Sequence, residues 1–483
     1  LSGQFAEPDP KLSRATESPL KIAYLTAGAA GMICGSCLHD NTLARALIAL
    51  GHDVQLIPLY TPIRTDEEDV SSQRIFYGGI NMYLQQKSLL FRWLPRWVDR
   101  WLDWPWLINW ASGRSVKIDP HEVADLAISI LRGTEGYQKK EVQRLTEWLT
   151  LSLRPDIIVF SNMLTAGCVP EIKRRMNVPV VVTLQGDDVF LRGLPKTHQP
   201  LALAEIARLS HSIDGFIAHS RFYADAMAEY MQIERGRIAV VPLGIDVTDF
   251  AREVTTERQS KEKTAGENDS NTFSHSLPSS VPPSCPARPP TVGYLARLAP
   301  EKGLHLLAEA FIRLRAMPGM ERARLRIAGW LGETNRAYVE EIFGRLRSAG
   351  FGDAFEFLGE IDRHAKIEFL SSIDVLSVPT TYREPKGLFV LEAMAAGVPV
   401  VQPEHGAFPE VLAAMEGGLL HRPEDPQHLA ERLYELLIDA EKRQRLGTAG
   451  RDNVRTGRNS REMAIQTVQV LTAVIGRSRA EPR

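Results

Sequence analysis

The chain has 483 residues, which at roughly 100–200 residues per domain calls for two large domains. Its 44% hydrophobic and 24% charged content excludes a chain disordered throughout, a collagenous rod and a coiled coil. Lys and Arg number 57 against 59 Asp and Glu, a net charge of -2, which argues against a protein that takes its affinity from nucleic-acid phosphates.

Four cysteines, Cys34, Cys37, Cys168 and Cys285, are too few for a disulfide framework and suit a reducing compartment, so a cytoplasmic location is expected. No stretch approaches the ~20 apolar residues of a spanning helix, and the opening LSGQFAEPDPKLSRATESP lacks the apolar core of a signal peptide. Its polar, Pro-containing composition predicts a disordered tail over 1–19.

In chain order, a strand is predicted over 21–27 (KIAYLTA), then a Gly-rich turn, a helix over 38–50 and a strand over 52–59 (HDVQLIPL). Further strands are read at 156–161, 178–184, 215–219 and 238–242, and continuous apolar strands separated by helices mean a buried parallel sheet. This is a first Rossmann-like domain over 20–250. From 251 to 290 the composition changes: 13 of 40 residues are Ser or Pro and few are large and apolar, which predicts a disordered linker or insertion. Alternation resumes with strands at 291–296, 323–328, 355–358, 374–378 and 399–402 and helices from 302 and over 337–347, 363–371, 387–396, 408–413, 427–453 and 461–475. A second Rossmann-like domain is expected over 291–458, followed by a C-terminal helix and tail over 459–483. The expected fold class is α/β: two doubly wound parallel-sheet domains facing across a cleft, with ligands at the strand carboxyl ends.

The candidate chemistry concentrates in the second half. Arg297 and Lys302 (ARLAPEKG) fall at a strand end and a helix start, where two cations, free N–H groups and a helix dipole suit a diphosphate. Glu384 and Glu392, with seven residues between them in EPKGLFVLEAMAAGVPVV, fall on a loop and the following helix, where carboxylates can accept bonds from sugar hydroxyls. Gly387 lets backbone approach a phosphate. Taken singly, each of these is as readily a solvated helix-end Lys or a surface Glu; the ordered set is not.

The set resembles the nucleotide-sugar-binding half of retaining glycosyltransferases of family 4, which have the GT-B fold. Strand-RL-x-x-EKG-helix, the spaced Glu pair, the AxxxGxPVV strand and the upstream VPLGID occur in the family's order, and the likeness covers about 20–250 and 291–475. The resemblance implies that Arg297 and Lys302 hold the donor diphosphate, that Gly387, Leu388 and Phe389 close on phosphate through their backbone, that Glu392 holds the ribose and that Glu384 holds the donor sugar. In the first half, Gly28-Ala-Ala-Gly31 resembles the family's Gly-rich turn, with Gly31 facing donor phosphate. It lacks the dinucleotide spacing, and no acidic residue ends the second strand, which disfavours a nicotinamide dehydrogenase.

Where many relatives carry His, VVVTLQGDDVF has Gln185, which can hydrogen-bond but cannot take a proton at neutral pH. Asp187 and Asp188 are the candidates to serve instead, with capping of their own turn as the alternative use. Cys34-Gly-Ser-Cys37 before a helix has the spacing of a redox pair, and His39 and Asp40 could complete a metal site; tight packing under a phosphate loop explains the same small residues. Residues 91–110 hold six of the eight tryptophans on a basic background, which fits a membrane interface, an acceptor pocket or a packed subdomain. The sequence reading is thus a retaining glycosyltransferase moving a sugar from a UDP- or GDP-linked donor to a hydroxyl acceptor, glycan or lipid-linked. It is expected to need no metal, to bind no nucleic acid and to be cytoplasmic, with peripheral contact at the inner membrane face as one of the three uses open to 91–110. The alternatives are a same-fold nucleotide-sugar epimerase, a sugar-phosphate synthase and a non-catalytic nucleotide-sugar binder; a two-carboxylate glycosidase is the rival use of the Glu pair.

Overall fold

The structure, a computed structural model, describes residues 18–28, 35–72, 75–77, 120–250 and 288–480. Gly31, Cys34, the tryptophan-rich 91–110 segment, nearly all of the 1–19 tail and most of 251–290 lie outside the described residues. The chain forms two compact units: Leu1–Ile245 with Arg383–Leu388 and Ser460–Arg483, and Asp246–Tyr382 with Phe389–Asn459.

In the first unit, β1 (Lys21–Thr26), β2 (Asp53–Pro58), β3 (Ile157–Phe160), β4 (Val180–Thr183), β5 (Gly215–Ala218) and β6 (Ile238–Val240) form a parallel sheet. Its order is β2-β1-β3-β4-β5-β6. Every residue of β3 and β4 is buried, so IIVF and VVVT show no polar alternation: both faces of these strands are covered. Leu25, Phe160, Val182 and Phe216 of the sheet share one core with Ile128, Leu145, Ile172, Ile206 and Met227 from the helices. The Ser460–Ala480 helix belongs to this unit and packs on the Gly35–Ala49 helix. Its entry is fixed by Ser460 N–H donating to Ile245 O at 2.8 Å.

In the second unit, β7 (Thr291–Leu295), β8 (Arg324–Ala328), β9 (Phe355–Phe357), β10 (Val375–Leu376), β11 (Val400–Pro403) and β12 (Gly418–His421) form another parallel sheet, ordered β12-β11-β10-β7-β8-β9. All six strands of the first sheet match the sequence expectation, and five of the second do. The sequence pattern misses β12, because GLLH begins on the second of two glycines and is only half-buried at the sheet edge, so it shows neither a long apolar run nor clean alternation.

One local device recurs. The Asp preceding a strand accepts the first N–H of the neighbouring strand: Asp156 from Lys21 at 2.8 Å, Asp214 from Val180 at 2.6 Å and Asp374 from Thr291 at 2.8 Å. Each carboxylate satisfies a donor that the sheet ladder leaves over. Asp374 also accepts from Arg288 at 2.9 Å, just upstream of β7.

The helix expected from Lys302 begins instead at Leu304, because Pro300–Lys302 forms a 3-10 turn and Gly303 then stands in the left-handed region at φ 73. A Cβ on Gly303 would lie 1.8 Å from Pro379 O, in the loop after β10. The glycine of the EKG motif is therefore what lets the Lys302 turn sit against that loop. Gly303→Ala should cost at least ~1–3 kcal/mol through its backbone conformation alone, with the carbonyl clash adding to it. Denaturant unfolding of the variant against the parent measures this.

Candidate functional site

Each sheet reverses its strand order once, between β1 and β3 and between β7 and β10; Arg297 and Lys302 follow β7 and Glu384 follows β10, whereas Gln185, Asp187 and Asp188 follow β4. In the first unit, Thr26 ends β1 and Ser161 follows β3, with Ser161 N–H donating to Leu25 O at 2.9 Å. Beneath them Asp40 is fully buried on the Gly35–Ala49 helix. Its carboxylate accepts Tyr24 OH at 3.0 Å, Thr26 Oγ1 at 2.7 Å and Gln185 Nε2 at 2.8 Å, and it faces His39 Nδ1 at 3.1 Å. Burial alone would raise the Asp40 pKa, but the bonds from His39, Thr26 and Gln185 outweigh it and hold the group below the usual carboxylate range. Burial lowers the His39 pKa against the pull of the neighbouring Asp40 carboxylate.

Asp187 and Asp188 open the Asp187–Gly193 helix and have different partners. Asp187 is buried and accepts backbone N–H groups on both oxygens, from Met163 at 2.6 Å and Gln185 at 3.0 Å. Burial pushes it up to about 6 against the pull of those N–H groups. Asp188 accepts Tyr223 OH at 2.8 Å, and that hydroxyl in turn accepts Gly186 N–H at 2.8 Å. Both carboxylates thus fasten the loop that carries Gln185.

The segment Arg383–Leu388 belongs to this same unit and brings Glu384 and Gly387 with it. Glu384 is buried and accepts Gly387 N–H at 3.3 Å, a return made possible by Gly387 at φ 69. Leu388 lies near Gly35 at the start of the Gly35–Ala49 helix.

In the second unit, Arg297 and Lys302 follow β7. Arg297 is exposed and pairs with Glu301, four residues on. Lys302 Nζ donates to Tyr382 OH at 2.6 Å and lies 5.6 Å from the Phe389 ring centre, so aromatic faces hold it. Glu392, in the Leu388–Ala395 helix, is buried and accepts Lys366 Nζ at 2.5 Å; Lys366 is itself buried in the Arg363–Ser371 helix. Among the described residues no group of three or more His, Cys, Asp or Glu is placed to hold a metal.

Two lysines escaped sequence reasoning. Lys366 reads as the solvated face of RHAKIEFLS, and Lys386 as one more charge in a loop, yet both are buried. The one available signal for Lys386 was its place between Glu384 and Gly387.

A model of the glycosyl transferase 4-like domain matches residues 41–244, and one of glycosyl transferases group 1 matches residues 282–453. Over 167 residues the chain is 33% identical to the D-inositol 3-phosphate glycosyltransferase of Stackebrandtia nassauensis, which covers 34% of this chain and 37% of that protein. It is also 25% identical to the glycogen synthase of Mycobacterium tuberculosis over 94% of both chains. Among solved structures it is similar to the sucrose-phosphate synthase of Thermosynechococcus elongatus (TM-score 0.65, 19% identity, 95% of this chain and 100% of that one). Anabaena HepE, solved with UDP and glucose, follows with TM-score 0.60 and 18% identity over 94% of this chain and 100% of that one. Residues 282–453 thus fall in the glycosyl transferases group 1 family and residues 41–244 in the glycosyl transferase 4-like domain family, and the chain has the two-domain, Rossmann-like GT-B fold. It spans less than half the length of the inositol phosphate enzyme it matches.

Asp187 gives a pH signature. Its folded pKa of about 6 exceeds the ordinary 3.8, so the folded state holds this proton more tightly than the unfolded one. The stability it confers is complete below the ordinary value and is lost as pH rises through the folded one, up to about 3 kcal/mol in all. Denaturant unfolding of the parent and Asp187→Asn between about pH 4 and 7 should show this loss in the parent only. Lys366→Met, which strands a buried Glu392, should cost about 3–5 kcal/mol, and adding Glu392→Leu should recover much of it. A double-mutant cycle on unfolding free energies measures the coupling.

Proposed function

We propose that this protein moves a sugar from a nucleoside-diphosphate sugar, UDP- or GDP-linked, to a hydroxyl acceptor, glycan or lipid-linked, with retention at the anomeric carbon. The observation that carries this is the pair of cations after β7, Arg297 exposed and Lys302 held by Tyr382 and Phe389, at the strand where the second sheet reverses its order. Two positive charges match a diphosphate leaving group and supply what a metal ion would, so on this reading the enzyme needs only its co-substrate.

Glu392 takes the ribose hydroxyls, with the bond from Lys366 holding its carboxylate in place. Glu384 takes the donor sugar, and the backbone of Gly387, Leu388 and Phe389, together with Gly31, closes on phosphate. As the bond from the anomeric carbon to phosphate breaks, the acceptor oxygen bonds to that carbon on the same face. Its proton passes to the departing phosphate, because the Gln185 amide accepts none at neutral pH. No described helix is long and apolar enough to cross a membrane; contact with a lipid-linked acceptor would be peripheral, through 91–110.

Charge-assisted bonds to phosphate are worth about 1.5–3 kcal/mol each, so Arg297→Ala or Lys302→Ala should weaken nucleoside-diphosphate binding roughly ten- to over a hundredfold. Glu392→Gln should weaken nucleoside and nucleoside diphosphate alike. Calorimetry with UDP and GDP reads this, and unchanged affinity in both cation variants would overturn the donor site. A thermal-shift panel of UDP, GDP, ADP and their sugars identifies the base, since ligand at 100 times Kd stabilises by about 2.7 kcal/mol.

A further inference from the structure

The first unit buries two opposite charges joined by one amide. Gln185 spends both N–H groups, on Asp40 Oδ1 and on Ser161 O, each at 2.8 Å. Its Oε1 accepts Lys386 Nζ at 2.8 Å, and Lys386 also donates to Ser36 Oγ at 3.2 Å. The amide has one workable orientation. Turned over, it would set a carbonyl against a carboxylate and an NH2 against an ammonium. Lys386 is 7% exposed and Asp40 is 0% exposed, a burial that neither charge sustains without such partners.

Lys386 sits between Pro385 and Gly387 in the segment that carries Glu384. A second tie holds that segment: Ser220 Oγ donates to Pro385 O at 3.0 Å while accepting Tyr223 N–H at 3.1 Å as the cap of the Arg221–Tyr230 helix. Ser220 orders the loop through a neutral bond to its backbone. Lys386 orders it through a charge whose counter-charge, Asp40, lies one amide away.

We propose that Lys386 is a positioning residue: acting through Gln185 and Asp40, it fixes the 384–387 loop, and with it the Glu384 carboxylate and the Gly387 N–H, for work on the donor. The word donor rests on the transferase assignment, whereas the fixing of the loop does not. Gln185 on this account transmits position and takes no proton. An imidazole at 185 can still donate to Asp40 on one side and accept from Lys386 on the other, losing only the Ser161 bond. A carboxylate at 185 accepts from Lys386 but offers Asp40 no donor.

The test compares the full chain with Lys386→Met, Gln185→Glu and Gln185→His, using hydrogen exchange of peptides over 383–388, turnover of nucleotide sugar and calorimetry with free nucleoside. Lys386→Met and Gln185→Glu should speed exchange of the loop about tenfold or more with little change in β4 and β5. They should lower turnover about tenfold or more while nucleoside affinity, which reads Glu392, stays within about twofold. Gln185→His should keep loop exchange slow. Unchanged loop exchange in both disruptive variants overturns the proposal, and so does acceleration spread evenly through the first unit, which would mark a merely structural role. If Lys386→Met does not fold, the two Gln185 variants decide the matter between them. Faster loop exchange in a parent background that turns over no nucleotide sugar would leave the positioning intact and remove the transferase assignment.

Discussion

A parallel strand cannot be joined to its neighbour by a tight turn, because the chain must first return to the starting edge. Among the described strands every pairing in this protein is parallel, so each connection within a sheet is a crossover. β1 and β7 are each flanked on both sides by later strands, and crossovers leaving in opposite directions part the loops at their carboxyl ends. Backbone N–H groups and polar side chains can enter there without breaking the sheet. Thr26 and Ser161 in one unit, and Arg297, Lys302 and Tyr382 in the other, occupy such ends because the topology leaves nowhere else equally open.

Charge brought to such a place must be neutralised locally, and the two units do so differently. Lys366 and Glu392 meet directly at 2.5 Å, each on a helix of the second unit. Asp40 and Lys386 are kept apart by the Gln185 amide. A direct pair fixes two side chains relative to each other. An amide-bridged pair ties three chain segments, the Gly35–Ala49 helix, the loop after β4 and the 383–388 segment, and it gives each a unique partner.

What the sequence revealed follows from range. The buried strands were legible because apolar runs such as IIVF and VVVT need only neighbouring residues to be recognised, and β12 was not, since an edge strand half open to solvent shows no such run. Arg297, Lys302 and Glu392 could be singled out from their spacing within motifs. Lys366 and Lys386 could not: burial of the first depends on a residue 26 positions away, and that of the second on one 201 positions away. Two of the three partners of Gln185 lie far off in sequence, Asp40 at 145 positions and Lys386 at 201, so its place as a fully bonded bridge could not be seen from its neighbours.

The same residues show that a motif continuous in sequence need not answer to one core. EPKGLFVLEAM reads as a single loop-helix corner, yet Glu384, Lys386 and Gly387 belong with the first unit while Phe389 and Glu392 belong with the second. The spacing of the Glu pair is therefore constrained twice, once by the polar ties of 384–387 and once by the Lys366 pair and the apolar packing of the helix. An amide does not titrate, so the first set of ties keeps its polarity throughout the neutral range, where a histidine in the same place would change charge and reverse one bond. The Gln185 amide moves no proton and holds its arrangement at every working pH. On the same-face transfer proposed above, the proton released by the acceptor leaves by another route, and the departing phosphate is the base at hand.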